Sequence, residues 1–592
     1  MAVTPSVPSR ISAVSRSRKV TTGSFRVVGA AIALGVATGI IVALVQNFVV
    51  LMQRAALGFA AERRIAFPDH VSFLRIFLSL AIGALLVAQL SKWFRRKEPE
   101  EPIDAVEANA LRGGKMTWWD AAVVTIPILI SVCCGASVGI EAAVTQLGAV
   151  LASEYGQRRA LPRSDRRLLV GAGAAAAIAA AYRAPIAGML YAYELVLGTY
   201  SKRTLAPIGL AAIAATMTMW ALTGSEKPFS LTLGSTTIWT DYPVALLIGV
   251  LSAGTGMVMM LLVTSFERQL KRLIGNDILR RLFVCGIVTI LSVRFPAVLG
   301  SGHSGIDQGA NGHISGGEAA GLLGAKVVTS AASLGGGFRG GLFSASLLIG
   351  ALLGQVVAWA LTFIPGAPAV HPGLCSLVGM ASVGASVIGA PLSMIFLTLE
   401  TTGDFDAAVV VAVGAVAAGF LTDRLFGYSF ATWRFQQRGL AIEGGHDVAR
   451  LTSTAITDLI RPPKRSIKVT SALNETIRAV STAGGRGTAV LTPDGGFVGL
   501  VDPRMVEALA EEDGPLPVVA AELVYGDSPL VTPATTLAET IEIFRIDDRP
   551  TLAVVDPTDL RKLIGCVRAR DAFALASSLL DEQRRDDLGI PR

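Results

Sequence analysis

GASVGIEAAVTQLGAVLA, residues 135–152, holds Glu141 in a long apolar run, with no other Asp, Glu, Lys, Arg or His between Asp120 and Glu154. A carboxylate in membrane-grade apolar sequence is costly to keep ionised, so it marks a functional site and points to a polar cavity. Glycines precede Glu141 and helix-compatible residues follow it. That pattern places it in the first turn of a helix, where unpaired backbone N–H groups and the helix dipole favour an anion. The site suits either the glutamate's own carboxylate or a dissolved anion competing for the same amides.

The arrangement recurs in the second half of the chain. GIEAAVTQLGA, from Gly139, lies over GLFSASLLIGA, from Gly341, with Gly, Gly and Ala in register. Downstream, APIAG from Ala184 runs on to Glu194, and APLSM from Ala390 runs on to Glu400, with equal spacing from Pro185 or Pro391 to the glutamate. Two weakly similar halves, each with a Gly-interrupted apolar segment, point to a transporter built from repeats whose discontinuous helices aim their N-termini at a midplane site.

Composition agrees. The chain of 592 residues is 52% hydrophobic and 16% charged, with a mean hydropathy of +0.56, which predicts a polytopic membrane protein. Residues 27–52, 71–90, 121–152 (broken by glycine) and 244–263 are long enough to span a bilayer; 207–222 and 407–421 are shorter candidates. The basic, Ser-rich arm of residues 1–25 carries Arg10, Arg16, Arg18 and Lys19 and no acid, so it stays in the cytoplasm by the positive-inside rule. The net charge of +7 lies in tails and loops with no aromatic stacking platform, which argues against nucleic-acid binding. The five cysteines show neither ligand spacing nor a disulfide framework. His303, Asp307, His313 and Glu318 share a Gly-rich stretch without metal-ligand spacing, which is read as a solvated loop.

After about Ala441 charges and β-type runs replace Gly and Ala. The runs from Gly487 and from Thr551 each read as a hairpin with a helix on either side, hence one soluble domain of two repeats over residues 441–592.

Residues 25–440 resemble the CLC family of chloride channels and proton-coupled chloride transporters, and the tail resembles a pair of CBS domains. GASVGIEAAVTQ is similar to the family's GxxxGxEGP segment, and GAGAAAAIAAAYRAPIAGMLYAYE to its alanine-rich AP segment. GGFRGGLFSASLLIGALLG is similar to its GGxFxP segment, and VGASVIGAPLSMIFLTLETTGDF to its second AP segment. Together with the repeat, the resemblance implies an α-helical polytopic membrane protein with an inverted repeat of broken, tilted helices over residues 26–440, and a C-terminal α/β CBS-pair domain. It implies anion transport rather than enzyme activity, a multi-pass place in the cell (inner) membrane, contact with membrane lipid, and a homodimer. Glu141 matches the gating glutamate. Ile140 and Ala142, with Leu342, Phe343 and Ser344, match positions whose backbone amides coordinate the anion.

The departures carry information too. Where the family has GSGIP, this chain reads Glu100-Glu101-Pro102-Ile103-Asp104, so the coordinating serine is missing. The coordinating tyrosine aligns with Ala431, with Tyr428 or Ser429 as substitutes, which leaves backbone amides as the main donors. Leu195 stands where proton-coupled members have an internal glutamate, with Glu194 as a possible proton relay; a helix-end carboxylate bonding backbone amides is the other reading of Glu194 and Glu400. In the tail, Asp571 matches a ribose-binding aspartate while the first repeat has Met505, which implies one adenine-nucleotide site or a ligand-free dimerisation module; no other cofactor is implied. Three functions remain open: a channel-like or weakly coupled anion pathway, a proton/chloride antiporter, and a non-conducting membrane-anchored nucleotide sensor.

Overall fold

A computed structural model describes residues 10–61, 72–97, 102–224, 237–303, 305–306, 314–430, 432–433, 454–483, 487–510, 517–526, 529–546 and 549–588. The chain forms two compact units, Met1–His446 and Asp447–Arg592. The boundary expected at residue 440 lies outside the described residues.

The first unit is helical. Its first half comprises α1 (Arg10–Leu57), α2 (Phe73–Lys97), α3 (Ala105–Leu111), α4 (Trp118–Cys133), α5 (Glu141–Arg158), α6 (Arg163–Tyr182), α7 (Pro185–Tyr191, extended by a π-helical turn, Ala192–Leu197) and α8 (Lys202–Thr223). The second half comprises α9 (Asp241–Leu273), α10 (Asp277–Arg294), α11 (Gly316–Gly335), α12 (Phe343–Leu361), α13 (Pro372–Ile388), α14 (Pro391–Thr402) and α15 (Phe405–Leu425). Residues 10–25 of the basic arm continue into α1. Among the described residues, six helices are long and apolar enough to cross a membrane, including α1, α2, α8, α9 and α15, where the sequence places spans. The sixth is α12, which the sequence marks only by its glycine start. Large apolar side chains such as Leu44, Leu78, Met217, Val258 and Phe420 are exposed on these helices.

The two halves correspond at their central helices, α5, α6 and α7 with α12, α13 and α14. Helix α5 packs on α6 as α12 packs on α13, and each contact is closed by glycines. A Cβ on Gly148 would overlap the backbone of Gly173, and one on Gly350 would overlap that of Gly379. Since Gly148 and Gly350 are the residues that the repeat aligns, the small-residue register read from the sequence is the register of packing. The contact brings backbones too close for any side chain, and this fixes how α5 and α12 lie within their halves.

The second unit is α/β. A three-stranded sheet has order β1 (Arg465–Lys468), β2 (Thr488–Leu491), β3 (Phe497–Leu500), parallel then antiparallel; β4 (Thr551–Val555) and β5 (Leu563–Arg568) form a second, antiparallel sheet. Helices α16 (Leu473–Ala483) and α17 (Pro503–Ala510) flank the first hairpin; α18 (Leu537–Ile546) and α19 (Ala569–Leu588) flank the second. Both expected hairpins are present with their helices. Strand β1 is an addition, since its short run of one buried residue among exposed ones carries little periodic signal.

Replacing Gly350 with Ala is expected to lower the thermal unfolding midpoint in detergent by several degrees, because the added methyl meets the Gly379 backbone and overpacking costs about 1–3 kcal/mol. Gly254→Ala, where a Cβ meets nothing within 4 Å, should leave the midpoint unchanged or raise it. Equal midpoints for Gly350→Ala and the parent protein would refute the close-contact account.

Candidate functional site

Helices α3, α4, α8, α10, α11 and α15 open on a Ser, Thr, Asp or Asn whose side chain accepts an orphan amide of the first turn. Helices α5 and α12 do not. Their cap positions are Ile140 and Leu342, and neither makes a side-chain cap hydrogen bond. The residues just before them form an antiparallel bridge, Gly139 N donating to Gly341 O at 2.9 Å and Gly341 N to Gly139 O at 3.2 Å. Antiparallel pairing sends the two helices away in opposite directions, so their opening amides converge. The structure thus brings Ile140, Glu141 and Ala142 together with Leu342, Phe343 and Ser344; all except the partly exposed Ala142 are buried.

Glu141 is 3% exposed and lies against its own helix N-terminus. A Cβ on Gly139 would overlap its carboxylate. Its Oε1 accepts from Tyr182 Oη at 2.7 Å and from Ser344 Oγ. These hydroxyls are 2.8 Å apart. Its Oε2 has no hydrogen-bond partner among the described residues. Tyr182 reaches this point because α6 ends on it: Arg183 adopts the left-handed conformation (φ 54°) and its Nη2 donates to Thr223 Oγ1 at 3.0 Å. Ring centroids of Tyr182 and Phe343 are 5.0 Å apart, and Tyr191 approaches Phe343 at 6.1 Å.

Tyr182 and His303 are participants that sequence reasoning missed. His303 is half-buried rather than on a solvated loop, its Nε2 3.2 Å from Ser344 Oγ and its Nδ1 2.9 Å from Ser301 Oγ. The segment carrying it is drawn inward by Lys326, a buried residue of α11 whose Nζ donates to the carbonyls of Val298 (3.0 Å) and Gly300 (2.9 Å). Asp307 and His313 lie outside the described residues, and Glu318 sits in the first turn of α11, its amide capped by Ser315.

Glu194 and Glu400 exchange places across the repeat. The Glu194 carboxylate accepts from Leu392 N and Ser393 N, both at 2.8 Å, and from Ser393 Oγ at 2.5 Å, all at the start of α14. The Glu400 carboxylate accepts from Ile186 N and Ala187 N, both at 2.9 Å, at the start of α7. Each is a helix cap supplied by the other half. Leu195 is buried in the apolar core beside it. In the segment that replaces GSGIP, Glu101 at the serine position lies outside the described residues, Asp104 caps α3 by accepting from Glu107 N at 2.8 Å, and Ile103 O accepts from Gln146 of α5 at 2.7 Å. Ser429 bonds locally to Thr432 and Tyr428 packs against Phe426 and Trp433, so neither substitute reaches Glu141; Ala431 lies outside the described residues.

Residues 79–423, more than half of the chain, match the model of the voltage gated chloride channel family. The chain belongs to the CLC family. Among its relatives is the voltage-gated ClC-type chloride channel ClcB of Salmonella typhi, 27% identical over 399 residues, covering 66% of this chain and 94% of that protein. The ClcB of Citrobacter koseri is 29% identical over 349 residues, covering 58% and 82%. The fold is shared with a slow cyanobacterial Cl−/H+ antiporter (TM-score 0.60, 20% identity, 70% of this chain and 98% of that one). It is also shared with a eukaryotic CLC transporter (TM-score 0.57, 17% identity, 92% and 98%), a likeness that extends beyond the membrane unit. This CLC chain is therefore a multi-pass membrane protein of an anion-transporting family, with the inverted repeat of broken helices and the α/β tail expected of it.

In the tail of this CLC protein, Asp571 is held by Arg568, Nε to Oδ2 at 2.7 Å and Nη2 to Oδ1 at 2.9 Å. A ribose reaching that carboxylate has to displace a bidentate guanidinium. Met505 is exposed in α17.

Tyr182→Phe and Ser344→Ala, each made in Glu141→Gln so that the carboxylate no longer competes, are expected to weaken chloride binding about tenfold to a hundredfold. Each removes a hydrogen bond to a charged group, worth about 1.5–3 kcal/mol. Calorimetric titration with chloride checks this; unchanged affinity in both would remove the hydroxyls from the anion site.

Proposed function

We propose that this protein carries chloride or a similar anion across the cell (inner) membrane through a pathway gated by Glu141, in a channel-like or weakly proton-coupled manner. The observation that carries the reading is the Glu141 carboxylate: an anion placed where two helix N-termini without side-chain caps converge and bonded, among the described residues, through one oxygen. A dissolved anion that displaces it inherits the same two hydroxyls and the field of the same two helix N-termini. Dipoles and neutral donors hold the ion without a direct ion pair, so it binds and still leaves. Protonation of Glu141 removes the charge these donors hold and frees the position.

In this reading the basic N-terminal arm and the tail are cytoplasmic, lipid and a second copy cover the exposed apolar helix faces, and each subunit of a homodimer has its own pathway. Proton/chloride antiport is the second reading. Weighing against it, the position of the internal relay is an alkyl side chain, and Glu194 beside it spends both oxygens on the start of α14. A nucleotide-sensing role without conduction is weaker still, since Tyr182 and Ser344 still supply hydroxyl donors at Glu141 and Asp571 is already paired with Arg568.

Chloride efflux from liposomes containing the purified protein, with and without a proton ionophore, is the test. Efflux carried by chloride alone, not accelerated by the ionophore once the membrane potential is clamped, and no uphill proton uptake driven by a chloride gradient are expected. Proton pumping at a fixed ratio to chloride would overturn the channel-like reading, and no flux would overturn anion transport. Glu141→Gln and Glu141→Ala should fold, keep chloride flux and lose most of its pH dependence; unchanged pH profiles in both would remove Glu141 from the gate. Leu195→Glu should introduce measurable proton movement only if a relay at that position completes a path.

A further inference from the structure

We propose that His303 is a second pH-responsive element of the anion site: its protonation orients the Ser344 hydroxyl toward the anion, and anion binding in turn favours its protonation. The inference rests on the reading that an anion replaces the Glu141 carboxylate.

Ser344 Oγ is a junction. It touches Glu141 Oε1, lies 2.8 Å from Tyr182 Oη and lies 3.2 Å from His303 Nε2. A hydroxyl carries one hydrogen and accepts through its lone pairs. When Nε2 bears no proton, the imidazole competes for the Ser344 hydrogen against whatever occupies the Glu141 position. When Nε2 is protonated it donates to Oγ, and the Ser344 hydrogen is left for the carboxylate or the anion. At the other ring edge, Ser301 Oγ at 2.9 Å from Nδ1 can donate or accept, so it supports a neutral ring in either tautomer. The imidazolium donates from both nitrogens, and this fixes the direction of the whole chain Ser301, His303, Ser344, anion.

The charges facing His303 set the sign. Glu141 of α5 reaches it through Ser344 and favours the imidazolium. Lys326 of α11, whose Nζ bonds the carbonyls of Val298 and Gly300 in the same segment, opposes it. Tyr182 of α6, with its ring centroid 5.9 Å from that of His303, and Tyr191 of α7, behind Phe343, are neutral near pH 7. A chloride ion in place of the Glu141 carboxylate restores the favourable charge through the same hydroxyl. Linkage is reciprocal, so if chloride promotes protonation of His303, then protonation tightens chloride by the same factor. The affinity for chloride should fall as pH rises through the range, about 5 to 8, in which imidazole changes charge.

The test uses the purified full chain as Glu141→Gln, which removes the titration of the gate. Calorimetric titration with chloride at pH 5 and pH 8, in buffers of different ionisation enthalpy, gives both the affinity and the protons taken up. About five- to tenfold tighter binding at pH 5, with net proton uptake at intermediate pH, is expected. Both should vanish when His303→Gln is added. Adding Ser344→Ala instead should also flatten the pH response while His303 remains, which distinguishes orientation through the hydroxyl from a simple field effect; it carries the test as well if the histidine variant does not fold. A pH response that survives either double variant, or chloride binding by Glu141→Gln that is flat from pH 5 to 8, overturns the proposal for His303 and leaves the anion site standing. If Glu141→Gln binds no chloride at any pH, the anion site fails and the proposal with it.

Discussion

Backbone amides at the start of a helix have no carbonyl to bond, and the membrane unit is arranged around where it satisfies them. Inside an apolar slab an unmet N–H is expensive, so each buried helix start needs an acceptor. The repeat contains four such starts that matter. Those of α7 and α14 receive Glu400 and Glu194, each from the opposite half. Those of α5 and α12 meet at the Gly139–Gly341 bridge with one carboxylate, Glu141, between them. The same chemistry, a glutamate at an N-terminus, thus occurs fully held at α7 and α14 and partly held where α5 and α12 meet.

What separates the two is how completely the carboxylate is held. Glu194 accepts three hydrogen bonds through both oxygens, and Glu400 accepts two, one on each. Hydrogen bonds to a charged group contribute about 1.5–3 kcal/mol each, so removing Glu194 from its amides has a cost that no weakly held anion offsets. Glu141 spends one oxygen and leaves the other without a partner among the described residues. Its donors include two hydroxyls on other elements, which stay behind when it moves. A carboxylate meant to be exchanged is expected to be bound in this incomplete way.

Much of this was legible. Gly139 and Gly341, aligned by residue pattern, turn out to be bridged, and Gly148 and Gly350 make equivalent backbone contacts. The equal spacing from Pro185 to Glu194 and from Pro391 to Glu400 is the geometry of the reciprocal caps, since each glutamate must reach from one end of its helical segment to the start of the other half's. Tyr182 and His303 were not legible. Tyr182 lies in an alanine-rich run whose period says only that the helix is buried, and its meeting with Glu141 depends on α6 ending in the left-handed turn at Arg183. His303 follows a Gly-rich pattern that reads as loop; its burial comes from a lysine of α11 bonding carbonyls of that segment. Neither contact leaves a local signature in the chain.

The relocation of donors follows from these contacts. The hydroxyl donor expected at position 101 is replaced in the sequence by Glu101, and the start of α3 is closed by the side chain of Asp104. The tyrosine expected near residue 431 is absent, and Tyr428 is occupied in an aromatic cluster. Two hydroxyls nevertheless converge on the site, Tyr182 from α6 and Ser344 from α12, both at the Glu141 position. In the function proposed above, an anion that takes the place of the Glu141 carboxylate meets the same two hydroxyls, so occupancy and gating become one equilibrium. On that proposal, whatever alters the hydrogen-bond direction of Tyr182 or Ser344 acts on the anion and on Glu141 together, because both hydroxyls meet at the one carboxylate oxygen.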